Sequence, residues 1–295
     1  MEVTQDFAAD DRALYATLLD TAKTHWTPCG AGRMCWREWG AGAPIVLLHG
    51  GSGSWRHWLR NIPALSAHYR VLVADLPGLG DSDMPPHAFD HADLVTSTQQ
   101  LADVVMDGIK ALTSEPVHVV GFSAGSITGA QMASMHPNAV VSMNIAGGSG
   151  LGLNWGGLTG ELQRMQSSMT RAEQIAVQAH NASLIMLHGV VAPDAFEAEL
   201  QLENAERARL RTHPLADSSV LLDALPGIKA PLHITWGKND PYALPNLDER
   251  AALIHQHFPN AEVNFLDNAG HWVMYQRSDA YNPILMRQLA DPGPR

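Results

Sequence analysis

Val117-His118-Val119-Val120-Gly121-Phe122-Ser123-Ala124-Gly125 is the stretch on which the reading of the whole chain turns. An apolar run leads into a serine set between two glycines, and a helical pattern follows. A serine at a strand-to-helix turn of this kind forms a nucleophile elbow. The turn is so tight that the residues two before and two after the serine must be small. The serine backbone is strained and its hydroxyl projects above the sheet. The backbone N–H of Ala124, at the start of the helix, then points to where an oxyanion can form.

Working outward, strands alternate with helices. Residues 6–22 have helical spacing, through Phe7, Leu14, Leu18 and Leu19. Residues 24–28 and 33–39 read as strands joined by the glycine turn Gly30-Ala31-Gly32. Pro44-Ile45-Val46-Leu47-Leu48 is apolar throughout, as a strand buried on both faces must be. A helix is predicted over 55–67, a strand over 71–74, a helix over 91–112, the strand 117–120, a helix over 124–135 and a strand over 139–146. The alternation then stops. Seven glycines fall between Gly147 and Gly160, and helices are predicted near 158–167, 171–189, 193–212 and 217–224. It resumes with a strand over 231–236, a helix near 247–258, a strand over 262–266 and a last helix near 278–290. This pattern predicts an α/β fold with a doubly wound, mostly parallel sheet. Residues 1–147 and 226–295 form its core, and residues 148–225 form a helical cap inserted after the sixth strand.

Composition narrows the function classes. The chain has 295 residues, 45% hydrophobic and 17% charged, as suits one large soluble fold. With 19 Lys+Arg against 30 Asp+Glu its net charge is −11, which speaks against nucleic acid. The first residues, MEVTQDFAADD, carry neither a basic nor an apolar leader segment, and no apolar run reaches membrane-spanning length. The expectation is a cytoplasmic protein with a small-molecule substrate and no membrane partner; a homo-oligomer is compatible with the sequence. Cys29 and Cys35 flank the glycine turn; a disulfide is conceivable, and two free thiols are expected. No metal-ligand spacing occurs, and no Gly-Lys-Ser/Thr follows the glycines at 50, 51 and 53.

Ligands of open α/β sheets bind beyond the carboxyl ends of the strands. Three candidate catalytic residues fall there: Ser123, then Asp240 in Trp236-Gly237-Lys238-Asn239-Asp240-Pro241, then His271 in Asp267-Asn268-Ala269-Gly270-His271-Trp272. A serine hydroxyl needs a base to take its proton as it attacks. The base needs a carboxylate to fix its tautomer. Asp267 competes with Asp240 for that task. Asp240 is preferred because it follows the preceding strand in an Asn-Asp-Pro turn. Asp75 and Asp81 read as loop and cap residues, and His49 as a structural hydrogen-bonder.

Over roughly residues 40–290 the chain resembles the α/β-hydrolases. The resemblance rests on Leu48-His49-Gly50-Gly51, Asp75-Leu76-Pro77-Gly78-Leu79-Gly80-Asp81-Ser82, the elbow, and Gly270-His271-Trp272. It implies Ser123 as nucleophile, His271 as base and then acid, and Asp240 as its partner. It also implies an oxyanion hole made by the N–H groups of Gly51 and Ala124, each worth about 3 kcal/mol in the transition state, and no cofactor. Ser52 reads as a turn residue that also offers a hydroxyl. Two branches compete. The His-Gly-Gly loop and Trp272 are similar to the hydrolases that cut carbon–carbon bonds in meta-cleavage dienoates. Those enzymes tend to have an asparagine where this chain has Phe122, and an Asn-Lys pair where it has Gly80-Asp81. Phe122 therefore ranks a small carboxylic ester first, in the chemical range of aromatic-catabolism intermediates. Ser52, Phe122, Trp155 and Trp272 are the candidate substrate-binding residues. The arginines at 164, 171, 207, 209 and 211 are either a solvated helix face or a clamp for a substrate carboxylate. A ligand-binding receptor on the same fold is the reading from another class.

Overall fold

The apolar runs become strands whose alternate residues enter two different cores. A computed structural model describes residues 8–294. Its strands are β1 (Lys23–Cys29), β2 (Gly32–Trp39), β3 (Pro44–Leu48), β4 (Arg70–Ala74), β5 (Val117–Phe122), β6 (Val140–Ala146), β7 (Leu232–Gly237) and β8 (Val263–Leu266). Its helices are α1 (Ala8–Thr21), α2 (Ile62–Ser66), α3 (Leu94–Leu112), α4 (Ala124–Met135), α5 (Arg171–Ile185), α6 (Phe196–Glu206), α7 (Val220–Ala224), α8 (Leu247–His257), α9 (Val273–Gln276) and α10 (Ser278–Ala290). One sheet holds all eight strands in the order β1-β2-β4-β3-β5-β6-β7-β8. β1 and β2 pair antiparallel with their neighbours, and β3 to β8 run parallel. In the central strands Val46, Leu48, Val117 and Val119 face one core with α3 and α4. Ile45, Leu47, Val120 and Phe122 face the other, with Trp55, Trp58 and the C-terminal helices. A strand with a period of two, covered on both sides, has to be apolar at every position. No helix among the described residues is long and apolar enough to cross a membrane.

Four expectations need correction. The helix predicted over 55–67 is divided into a 3-10 turn at Trp55–Trp58 and the short α2. Leu59 N–H closes on Arg56 O, and Pro63, which has no N–H to give, sits in the first turn of the new helix. The helix predicted near 158–167 does not form. Leu162 and Met165 stay exposed, so a helix there would bury no apolar stripe. That segment instead lies along α5, where the Asn181 side chain takes Gln163 N–H (2.8 Å) and gives to Gln163 O (3.0 Å). The long helices predicted over 171–189 and 193–212 end early, at Ile185 and Glu206. A 3-10 turn, His213–Asp217, and the helix α9 were not anticipated. Of the helix predicted over 6–22, Asp6 and Phe7 lie outside the described residues.

Both cysteines are free and buried. Strand register keeps them apart, with Cys29 opposite Gly32 and Cys35 opposite Trp26. Burial pushes the Cys29 thiol up to about 11 and the Cys35 thiol up to about 12. The thiol, not the reactive thiolate, therefore dominates near neutral pH. Native protein should take up no iodoacetamide at about pH 8 by intact mass, while the denatured chain takes up two equivalents.

Candidate active site

The elbow is held by contacts from two neighbouring strands. β5 ends at Phe122 and α4 begins at Ala124, so Ser123 alone makes the turn, with φ 50° and ψ −120°. A side chain at positive φ is strained and must be held there by its surroundings. Ser123 N–H donates to Ala146 O at the end of β6 (3.1 Å). Ser123 O accepts from Ser126 N–H (2.8 Å) and from Ser126 Oγ (2.5 Å). The flanking glycines are small for different reasons. A Cβ on Gly121 would stand 2.5 Å from Ser126 Cα, inside the turn itself. One on Gly125 would stand 2.4 Å from His49 O and 2.5 Å from Leu48 O, against the end of β3. Backbone carbonyls cannot swing aside as a side chain can. Gly125→Ala should therefore destabilise the fold by about 3 kcal/mol, read as a lowered urea midpoint; an unchanged midpoint would refute the contact.

His271 and Asp240 meet at the ends of β8 and β7. His271 Nδ1 lies 2.8 Å from Asp240 Oδ2, and both residues are buried. Asp240 Oδ1 also accepts Tyr242 N–H (2.9 Å). A carboxylate only accepts, so the proton sits on Nδ1 and the lone pair on Nε2. The imidazole is flanked by Phe122 (4.9 Å between centroids) and Tyr242 (4.6 Å). Asp267 is elsewhere, exposed and paired with Lys238 at 2.8 Å. Sequence reasoning missed the support beneath Asp240. Buried Arg250 of α8 donates Nε–H to Ala243 O (3.0 Å) and Nη2–H to Tyr242 O (2.8 Å), and so clamps the turn that carries the carboxylate. An arginine in an ordinary helical pattern has no signal to mark it.

The loop after β3 is set by two buried histidines. His49 Nε2 accepts Leu76 N–H (2.9 Å), so its Nδ1–H donates to Gly50 O (2.7 Å). Gly50 N–H donates to His57 Nδ1 (3.3 Å). Gly51 then lies beside Ala124, where a Cβ on Gly51 would stand 3.9 Å from the Ala124 methyl. Ser52 follows at φ 48°, a turn conformation. Burial lowers the affinity of His49 for protons, and lowers that of His57 well below the ordinary range. The unfolded chain protonates both near 6.5 and the folded chain does not. Below that pH the unfolded state binds more protons, so stability falls as pH falls, by up to about 1.4 kcal/mol per pH unit for each group. Urea midpoints should thus drop from about pH 6.5 to about pH 5, and drop less steeply in His57→Asn.

Ser123, Ala124, Gly51 and His271 all open onto one cavity of about 480 Å³. Ser52, Phe122 and Trp155 line it too, and Trp155 stacks on Tyr242 (5.1 Å). Trp272 does not, contrary to expectation. It is fully buried, its indole N–H donates to His57 O (2.8 Å) and its ring stacks on Tyr275 (4.0 Å). Among the described residues no Arg or Lys lines the cavity. Of the five arginines between 164 and 211, Arg171 pairs with Glu206, Arg207 with Asp81 and Glu203, and Arg209 reaches Ser82 O. Near β2, Cys35, Asp75 and Asp81 converge, but the Arg37 guanidinium already bridges the two carboxylates. A second cavity, about 380 Å³, lies at the opposite end of β7 beside Pro231 and His233 and contains none of these residues.

A model described as the alpha/beta hydrolase family matches residues 45–284. The chain is 29% identical over 268 residues to the dihydrolipoyllysine-residue acetyltransferase component of the acetoin cleaving system of Pseudomonas putida, covering 88% of this chain and 67% of that protein. It is 28% identical over 279 residues to the 2-hydroxy-6-oxo-6-phenylhexa-2,4-dienoate hydrolase of Burkholderia cepacia, covering 85% and 89%. Its fold superposes on carboxylesterase CesB from Bacillus subtilis with a TM-score of 0.70 at 16% identity, covering 97% of this chain and 99% of that one.

Proposed function

The chain belongs to the alpha/beta hydrolase family, and we propose that it is a cofactor-independent serine hydrolase of a small, uncharged carboxylic ester. One observation carries the choice of substrate. The cavity onto which Ser123 and His271 open has no Arg or Lys among its described lining residues. A buried carboxylate needs a charged partner, so a neutral ester suits this site better than a dienoate acid.

In this reading Ser123 Oγ attacks the ester carbonyl carbon as His271 Nε2 takes its proton. Asp240 holds the imidazole by Nδ1 and stabilises the imidazolium. The carbonyl oxygen, now negative, is held by the N–H groups of Gly51 and Ala124. As the tetrahedral adduct collapses, the C–O bond to the alcohol breaks and His271 returns the proton to the leaving oxygen. Water, activated by the same histidine, then cleaves the acyl-serine to the acid and free Ser123. Residues 148–225 act as the cap. Trp155, Leu158, Ile185 and Met186, all from that segment, line the cavity and shape it for an apolar acyl or alcohol group.

A second reading is carbon–carbon hydrolysis of a dienoate, favoured by what the Burkholderia relative's name says of that protein. The same serine and histidine would serve it. A panel of p-nitrophenyl esters and a ring-fission dienoate, each followed by absorbance, separates the two. Esters should be turned over and the dienoate left; turnover of the dienoate alone would reverse the ranking. Ser123→Ala should lower kcat by about 10⁴ or more, and Asp240→Asn by about 10⁴, with folding retained by circular dichroism. An organophosphonate should label Ser123; absence of labelling would favour a receptor.

A further inference from the structure

His57 is a fully buried titratable residue that the reaction above does not use. Its ring is wedged between Phe122 (5.3 Å between centroids) and Trp272 (5.1 Å). The loop leaves no slack on its other side, since a Cβ on Gly53 would stand 2.3 Å from His57 Cε1. The ring is therefore fixed, and the identity of its two nitrogens is decided by their neighbours.

Nδ1 faces Gly50 N–H, which can only donate. A neutral imidazole has one lone pair and one N–H, so the lone pair is on Nδ1 and the proton on Nε2. Nε2 faces the side-chain amide of Gln201, on α6, at 3.3 Å from Gln201 Nε2. Two N–H groups cannot bond to each other. A side-chain amide keeps its outline when turned by half a revolution, and in that orientation Gln201 offers its oxygen to His57. Its NH2 group is then directed away from the imidazole. Gln201 lines the same cavity as Ser123 and Gly51.

We propose that Gln201 is a specificity-determining residue. Its NH2, oriented by His57, binds an uncharged oxygen acceptor, such as a ketone or ether, carried by the substrate apart from the reacting ester. This rests on the ester-hydrolase reading and narrows its substrate class to neutral esters with a second oxygen function. Charge agrees with this, because an amide donor can hold a neutral oxygen without leaving an unpaired ion in the cavity.

The test compares p-nitrophenyl levulinate, and keto esters one carbon shorter and longer, each with its methylene analogue. For at least one pair, wild-type protein should prefer the keto ester in kcat/KM by about fivefold, the scale of one neutral hydrogen bond. Gln201→Leu should bring that ratio to about one. Gln201→Glu, which still accepts from His57 but has no NH2 to give, should do the same. A substitution that merely loosens the cavity lowers both members of a pair together and leaves the ratio standing. A surviving ratio in Gln201→Leu, or no preference in any wild-type pair, overturns the inference. The corresponding anilides, which resist hydrolysis, are titrated by calorimetry into Ser123→Ala and its double variant with Gln201→Leu. If no ester is turned over, the ester reading has failed. The anilide ratios then decide the role of Gln201 by themselves, keto over methylene in the single variant only.

Discussion

The approach of Gly125 to the carbonyls at the end of β3 is the constraint on which the site depends. A backbone that close to His49 O and Leu48 O leaves no room for a Cβ. It locks the start of α4 against the loop that follows β3. Ser123 is thereby turned to positive φ, and the residues that follow it and those that follow β3 are brought side by side. Move the two strands apart by the width of a methyl group and Ala124 and Gly51 no longer lie side by side. The strain at Ser123 is balanced by the hydrogen bonds to Ala146 O and from Ser126, which belong to the sheet and helix themselves.

Around this contact the supports are buried and hydrogen-bonded, and two of them are histidines kept uncharged. His49 and His57 each use one lone pair on a backbone N–H, and each is left with one N–H to give. That arithmetic fixes both tautomers without any reference to the reaction. It also divides the labour. Asp240 and His271 pair with each other above Arg250, while His49 and His57 support the loop beside Ser123 as neutral groups and the Asp75 carboxylate takes Trp55 N–H further along it.

Several parts of this arrangement were legible in the residues alone. Gly-x-Ser-x-Gly after an apolar run is legible because one backbone geometry demands it. The apolar central strands are legible because burial on two faces removes polar positions. Asp240 was preferred over Asp267 from its place after a strand, and the structure puts Asp240 against His271 while Asp267 pairs with Lys238. Other parts were not. Trp272 is next to His271 in the chain, but the turn into α9 sends its ring behind the histidine, onto Tyr275. The pattern over 158–167 resembles a helix, yet Leu162 and Met165 stay exposed, and hydrogen bonds to Asn181 hold the segment in another form. His57, Gln201 and Arg250 carry no motif at all.

The division follows from range. Local sterics and periodicity act within a few residues, so the sequence by itself determined the alternation of strands and helices, the elbow, and the order Ser123, Asp240, His271. Which side chains look into the cavity depends on groups far apart in the chain. Gln201 and His57 are separated by 144 residues, and their pairing exists only once α6 is laid over the loop after β3. Only the tertiary structure decided that the arginines between 164 and 211 do not line the cavity and that Trp272 is buried against Tyr275. Those outcomes are set by packing between elements, and packing leaves no periodic trace in any one of them.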